Sequence, residues 1–189
     1  MKVLISGASG QIGTYLVETL KGLNIEIGLL SREDISRIYE SSKFLTSGVK
    51  RETFHIFKTF YPDVFINLAS MSSVVECENK PVESKIINQD FPARSNIQIS
   101  EGTEISPRSL YGIQKSKVHV AINKYRNLSD LDTRSLILFN NESWMRDSKF
   151  ASRRIIRDLV KVKRGFLNEF QIGNLDVRRD WNHPSDTAL

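Results

Sequence analysis

The chain has 189 residues, 40% of them apolar and 26% charged, and a formal net charge of +5 at neutral pH. These values fit a soluble globular domain with at most a small appendage and exclude a disordered or fibrous chain. No apolar run reaches the ~20 residues that span a bilayer, and the single cysteine, Cys77, excludes an internal disulfide or a multi-cysteine metal site.

In chain order, residues 2–6 read as a short buried strand, and Met1-Lys2 leads straight into it. No signal peptide precedes it, which predicts a cytoplasmic domain. Gly7-Ala8-Ser9-Gly10-Gln11-Ile12-Gly13 follows. The spacing predicts a tight turn into a helix over 11–22, whose apolar face is Ile12, Leu16, Val17 and Leu20. In such a turn Gly7 permits the bend, Gly10 lets the backbone approach a pyrophosphate, and Gly13 lets the helix pack on the sheet. The helix N-terminus then offers N–H groups and a positive partial charge to phosphate.

Ile25 to Leu30 reads as a second strand, ending at Ser31-Arg32. A basic residue there suits the 2′-phosphate of NADP, so Arg32 points to NADP. Weakly helical sequence runs to about Phe44, and a helix over 50–61 is stopped by Pro62. Residues 63–69 form a strand rich in β-formers. A short helix is expected over 82–90 and a strand over 96–100.

A helix is predicted from Ser109 to about Leu128, and it carries Tyr111 and Lys115. Four residues apart on a helix, the two share a face. An ammonium beside a phenol favours the phenolate. Tyr111 could then accept a hydroxyl proton as hydride leaves the same carbon, with Lys115 also bonding a ribose. Further strands are expected over 134–139 and 170–172, with a helix over 150–163 capped by Gly165. The alternation predicts an α/β fold, a Rossmann-type doubly wound parallel sheet. Residues 1–145 would be the cofactor-binding domain and 146–189 the start of a substrate-binding portion.

Between 146 and 164, eight basic residues face only Asp147 and Asp158. No aromatic residues alternate with them as a base-stacking surface would require, so a nucleotide-type small molecule suits the charge better than nucleic acid.

Several stretches carry a resemblance: Gly7–Gly13, Pro62–Ser70, Ser106–Gly112, Leu138–Ser143 and Gly173–Trp181. On them the chain resembles the extended short-chain dehydrogenase/reductase family, and within it the GDP-mannose 4,6-dehydratases. The resemblance implies an NADP-dependent lyase that turns GDP-mannose into GDP-4-keto-6-deoxymannose. It implies Tyr111 as base, Lys115 as its partner, and Ser100 as the serine of the catalytic segment. For the cofactor it implies Gly7, Ser9, Gly10, Gln11, Ile12, Gly13, Arg32, Leu68, Ala69, Ser70, Ser72, Lys115, Asn141 and Arg146. For the substrate it implies Glu142, Arg178 and Arg179. It implies no metal, no membrane or nucleic-acid partner, and a homodimer or homotetramer paired through the Tyr–Lys helix.

The chain departs from that pattern where the family places a Ser/Thr and a Glu some two dozen residues before the tyrosine. Here Ser100 is followed at once by Glu101-Gly102-Thr103-Glu104. Between Ala69 and Asn96 the crossover is short for a parallel connection. These losses fall at loops beside intact motifs, which predicts that the 189 residues are pieces of a longer polypeptide. Two alternatives stay open: another sugar-nucleotide epimerase or reductase, and a non-catalytic nucleotide-binding Rossmann module.

Overall fold

A computed structural model describes residues 1–31, 43–46, 56–71, 73–79, 81, 105, 107, 109–129, 132–173, 175 and 179–189. By contacts the chain divides into two compact units, one made of Met1–Leu68 with Leu138–Leu189, the other of Ala69–Ile137. Residues on both sides of the expected 145/146 boundary therefore share the first unit.

The first unit is built on a parallel sheet of β1 (Lys2–Ser6), β2 (Glu26–Ser31), β3 (Lys43–Thr46) and β4 (Val64–Asn67). The order is β3-β2-β1-β4. β1 is the hub: Ser6 lies opposite Leu30 of β2 on one side and Asn67 of β4 on the other. The strand order reverses beside β1, which makes its carboxyl end the topological switch point where such sheets hold ligands. The glycine turn begins at that end.

Alternation along β1 gives the sheet two apolar faces. Val3 and Ile5 join Ile27, Leu29 and Val17 on one side, where Leu16 and Leu20 of α1 (Gln11–Lys21) cover them. Leu4 and Leu30 face the other way and meet Ile56 and Phe60 from the helical residues 56–60. Gly28 makes room there, because a Cβ on it would lie 2.9 Å from the tip of the Phe60 ring.

β3 corrects the weakly helical reading of the stretch to Phe44: Lys43–Thr46 pairs in parallel with β2. Tertiary pairing overrode the local propensity there. The expected strand over 134–139 does not form, and only Asn140–Asn141 (β5) pairs, with Trp181–Asn182 (β6). A strand requires a hydrogen-bonded neighbour, and Leu136 to Phe139 run exposed without one among the described residues. Residues 170–172 are likewise not a strand. The helix over 82–90 and the strand over 96–100 lie outside the described residues.

α4 (Ala151–Lys163) and α5 (Pro184–Ala188) complete this unit. α5 packs on α1, and His183 at its N-cap meets the Tyr15 ring edge-on at 5.1 Å. In the second unit α2 (Val74–Asn79) packs on α3 (Leu110–Leu128). Ser109 caps α3, its hydroxyl accepting from the Gly112 N–H at 2.9 Å. The chain then doubles back: the Arg126 side chain donates to Thr133 O at 2.7 Å, and His119 meets the Ser135 hydroxyl at 3.1 Å. Cys77 is fully buried, as a structural thiol would be, and donates to Met71 O. No helix among the described residues is long and apolar enough to cross a membrane.

Candidate dinucleotide and nucleotide-sugar site

The glycine turn has the backbone its sequence asks for. Gly7 sits at φ +74°, in the left-handed region that only glycine enters at low cost. Its N–H donates to Leu30 O, and its carbonyl accepts from the Gly10 N–H at 3.0 Å, closing the turn. A Cβ at Gly13 would lie 2.4 Å from Gly7 O and 2.7 Å from Ala8 Cα, so only glycine lets α1 start this close to β1. Gly10 caps α1 without a side chain, and the first helical turn holds no acid. The first amides of α1 are therefore left to an external anion. This cradle fits a dinucleotide pyrophosphate on geometry.

Around the turn, the Ser9 and Ser31 hydroxyls are 3.5 Å apart. Ser6 donates to the Asn67 side-chain carbonyl at 2.5 Å, and the Leu68 N–H donates to Ser6 O, which fixes the end of β4 beside the turn. Ile12 is half-buried on α1, and Ala69 and Ser70 are exposed just after β4.

Residues 140–146 lie beside the same turn within the first unit. Gln11 Nε2 donates to Asn141 O at 3.3 Å, and the Ser143 hydroxyl donates to Gln11 Oε1 at 2.6 Å. Asn141 is buried, and its Oδ1 accepts from Thr187 of α5 at 2.7 Å. Glu142 pairs with Arg146 at 3.6 Å, with both side chains less than a fifth exposed. Its other carboxylate oxygen accepts from the Ser152 hydroxyl. The Arg146 guanidinium stacks over the Phe150 ring at 3.7 Å, and its Nε makes no hydrogen bond. Asn141, Glu142 and Arg146 thus form one connected group with Gln11.

Tyr111 and Lys115 belong to the second unit and lie one helical turn apart on α3 as expected, both half-buried. Lys115 Nζ stands 5.8 Å from the centre of the Tyr111 ring. Arg179 is exposed. Arg32, Ser72, Ser100 and Arg178 lie outside the described residues. No group of three or more His, Cys, Asp or Glu residues able to hold a metal ion occurs among the described residues.

The GDP-mannose 4,6 dehydratase family model matches residues 91–188, just over half of the chain. The chain belongs to the GDP-mannose 4,6-dehydratase family of extended short-chain dehydrogenases/reductases. The first half, residues 1–98, matches the RmlD substrate binding domain.

Among relatives of this dehydratase family, the GDP-mannose 4,6 dehydratase of Homo sapiens is 40% identical over 86 residues, 46% of this chain and 23% of that protein. That of Yersinia enterocolitica is 28% identical over 236 residues, covering 98% of this chain and 62% of the relative. The second alignment is longer than the chain itself, so the relative carries several tens of positions that have no counterpart here. In three dimensions, the UDP-glucose 4-epimerase of Thermus thermophilus in complex with NAD matches with a TM-score of 0.81 at 18% identity. The match covers all of this chain and 72% of that one, and it shows a shared fold.

Reading the sequence picked out the glycine turn, Asn141, Glu142 and Arg146, but it gave no role to Ser143, Ser152 or Thr187. Those three hold the group together across separations of 132, 10 and 46 residues, and only Ser143 lies inside a quoted motif. No local periodicity announces a contact between Gln11 and Ser143.

Proposed function

We propose that this protein is an NADP-dependent dehydratase that converts GDP-mannose to GDP-4-keto-6-deoxymannose. The observation that carries the reading is the dehydratase match over residues 91–188, because that span contains Tyr111, Lys115 and the Asn141–Arg146 group. The glycine cradle at the switch point supports a dinucleotide. The choice of NADP over NAD rests on Arg32 alone.

Bound NADP+ would supply a hydride acceptor at C4 of the mannose ring and a donor at C6. Tyr111 would hold the C4 hydroxyl and take its proton, with the Lys115 ammonium stabilising the phenolate. The first-turn amides of α1 would hold the pyrophosphate. Arg179 would approach the sugar-nucleotide phosphates, and Glu142 would bond the sugar. Once C4 is a ketone, the C5 proton is acidic and water can leave across C5–C6. By the family resemblance, Ser100 would be the serine of the catalytic segment; it lies outside the described residues, and the residue acting as the C5 base is left unassigned. The exposed apolar residues of α3, among them Val118 and Val120, would pair with a second copy in a homodimer or homotetramer.

Incubation with GDP-mannose and NADP+, followed by NMR of the sugar, tests the reading. A 4-keto-6-deoxy product supports it. A net change in NADPH or an epimer would move the protein to another reaction on the same scaffold. Binding without turnover would mark a nucleotide-binding module, a reading favoured by the many relative positions that have no counterpart in this chain.

A further inference from the structure

Among the described residues, the Gln11 side chain joins the glycine turn to the segment that carries Glu142 and Arg146. It stands at the first position of α1, directly after Gly10. Its amide makes two bonds that straddle Glu142, donating to the Asn141 carbonyl and accepting from the Ser143 hydroxyl. The Ser143 oxygen also accepts from the Met145 N–H, and the Ser143 carbonyl accepts from the Arg146 N–H. Glu142 donates its own N–H to Asn182 O, and Asn141 is held from the far side by Thr187. The Glu142–Arg146 pair is thus fixed at both ends of its own turn, and one of those ends is the cofactor loop.

We propose that Gln11 is a positioning residue that couples pyrophosphate binding at the glycine turn to the placement of Glu142 and Arg146. Only a side-chain amide suits the position. It presents a donor and an acceptor on one planar centre, and the two targets are a carbonyl and a hydroxyl. Glutamate would keep the acceptor and set a carboxylate against the Asn141 carbonyl, whereas leucine would lose both bonds. When phosphate oxygens settle on the first-turn amides, Gln11 moves or stiffens with them, and the Glu142 segment follows. The role assigned to that segment rests on the reading proposed above; the clamp itself does not.

Amide hydrogen exchange on the whole chain tests the coupling. Without ligand, Gln11→Leu and Ser143→Ala should each speed exchange at the Glu142 and Arg146 amides by roughly fivefold to tenfold, the worth of one ordinary hydrogen bond. Ser143→Ala should also speed exchange at the Gly10 and Thr14 amides of the turn, because a clamp transmits both ways. At the Glu142 amide the double variant should exchange no faster than Gln11→Leu alone, Met145 being left out of the comparison because its N–H loses the Ser143 hydroxyl in Ser143→Ala whatever Gln11 does. With NADP+, wild type should gain protection at Glu142 and Arg146, and Gln11→Leu should gain it in the turn only. If Gln11→Leu loses its thermal transition, Ser143→Ala removes the same bond from the other end and is read instead. Independent, additive effects would overturn the clamp, as would equal cofactor protection of residues 142–146 in wild type and Gln11→Leu. If wild type fails to bind NADP+ at all, the dehydratase reading falls, and the ligand-free exchange still decides the clamp.

Discussion

A methyl group at position 13 would overlap backbone atoms of Gly7 and Ala8, which cannot swing aside as a side chain can. Gly13→Ala should therefore cost about 3 kcal/mol or more, by the mechanism of an overpacked core, and should abolish cofactor binding. Denaturant melts with and without NADP+ would check both effects. With Tyr111 as the base proposed above, Tyr111→Phe would keep the ring and remove the proton acceptor, and kcat should fall about 10²- to 10⁴-fold with KM little changed. Steady-state kinetics would separate that outcome from simple loss of binding. At the surface, the Arg134 guanidinium hydrogen-bonds Asp132 and holds its carboxyl below the usual carboxylate range. A depressed folded value stabilises above the unfolded pKa of about 3.9 and is lost as pH falls through the folded value. The pair is solvent-exposed, so Asp132→Asn should narrow the stability difference between pH 7 and pH 3 only slightly. At this scale the glycine turn was legible in the sequence, because each glycine answers a local backbone demand. The Gln11–Ser143 bond was not, because it depends on where two distant segments come to lie.

Among elements, burial separates the helical residues 56–60 from α4. Phe60 is almost wholly buried against Leu4 and fills the space that Gly28 leaves. Phe60→Ala should destabilise by about 3–5 kcal/mol. α4 has an apolar stripe that the 3.6-residue period made plain, yet it has no buried residue, and Leu159 is half exposed. Leu159→Ala should change stability by less than about 1 kcal/mol. Chemical denaturation of both variants would test the contrast, and a large loss at Leu159 would mean that α4 packs in solution more tightly than these contacts show. The long helices α1, α3 and α4 were legible because their periodicity persists over three turns or more. β3, β5 and β6 were not, because strands of two to four residues carry too little pattern and exist only through their partners. The expected strand over 134–139 shows the converse: no neighbour among the described residues pairs with it, and β-forming residues alone do not make a strand.

For the molecule as a whole, large apolar residues stand exposed in both units, including Phe65 and Val64 of β4 and Val120, Tyr125 and Leu128 of α3. Several large apolar residues exposed on one helix, as on α3, make that helix a candidate contact site. If α3 pairs with a second copy, Val120→Asp should convert a dimer or tetramer to monomer in sedimentation velocity, and an unchanged sedimentation coefficient would place the contact elsewhere. The sequence by itself determined the first two strands, the long helices, the glycine turn between β1 and α1, the shared face of Tyr111 and Lys115, and the family. Each of these follows from local rules: glycine conformational freedom, helical spacing and residue runs that stand close together in the chain. The tertiary structure decided that β1 sits at the switch point, and that Asn141–Arg146 returns to the glycine turn. It also decided that Gln11 links the two. Those facts come from sheet order and from side chains meeting across more than a hundred residues, which no local pattern encodes because the contact is created only when the sheet closes around β1.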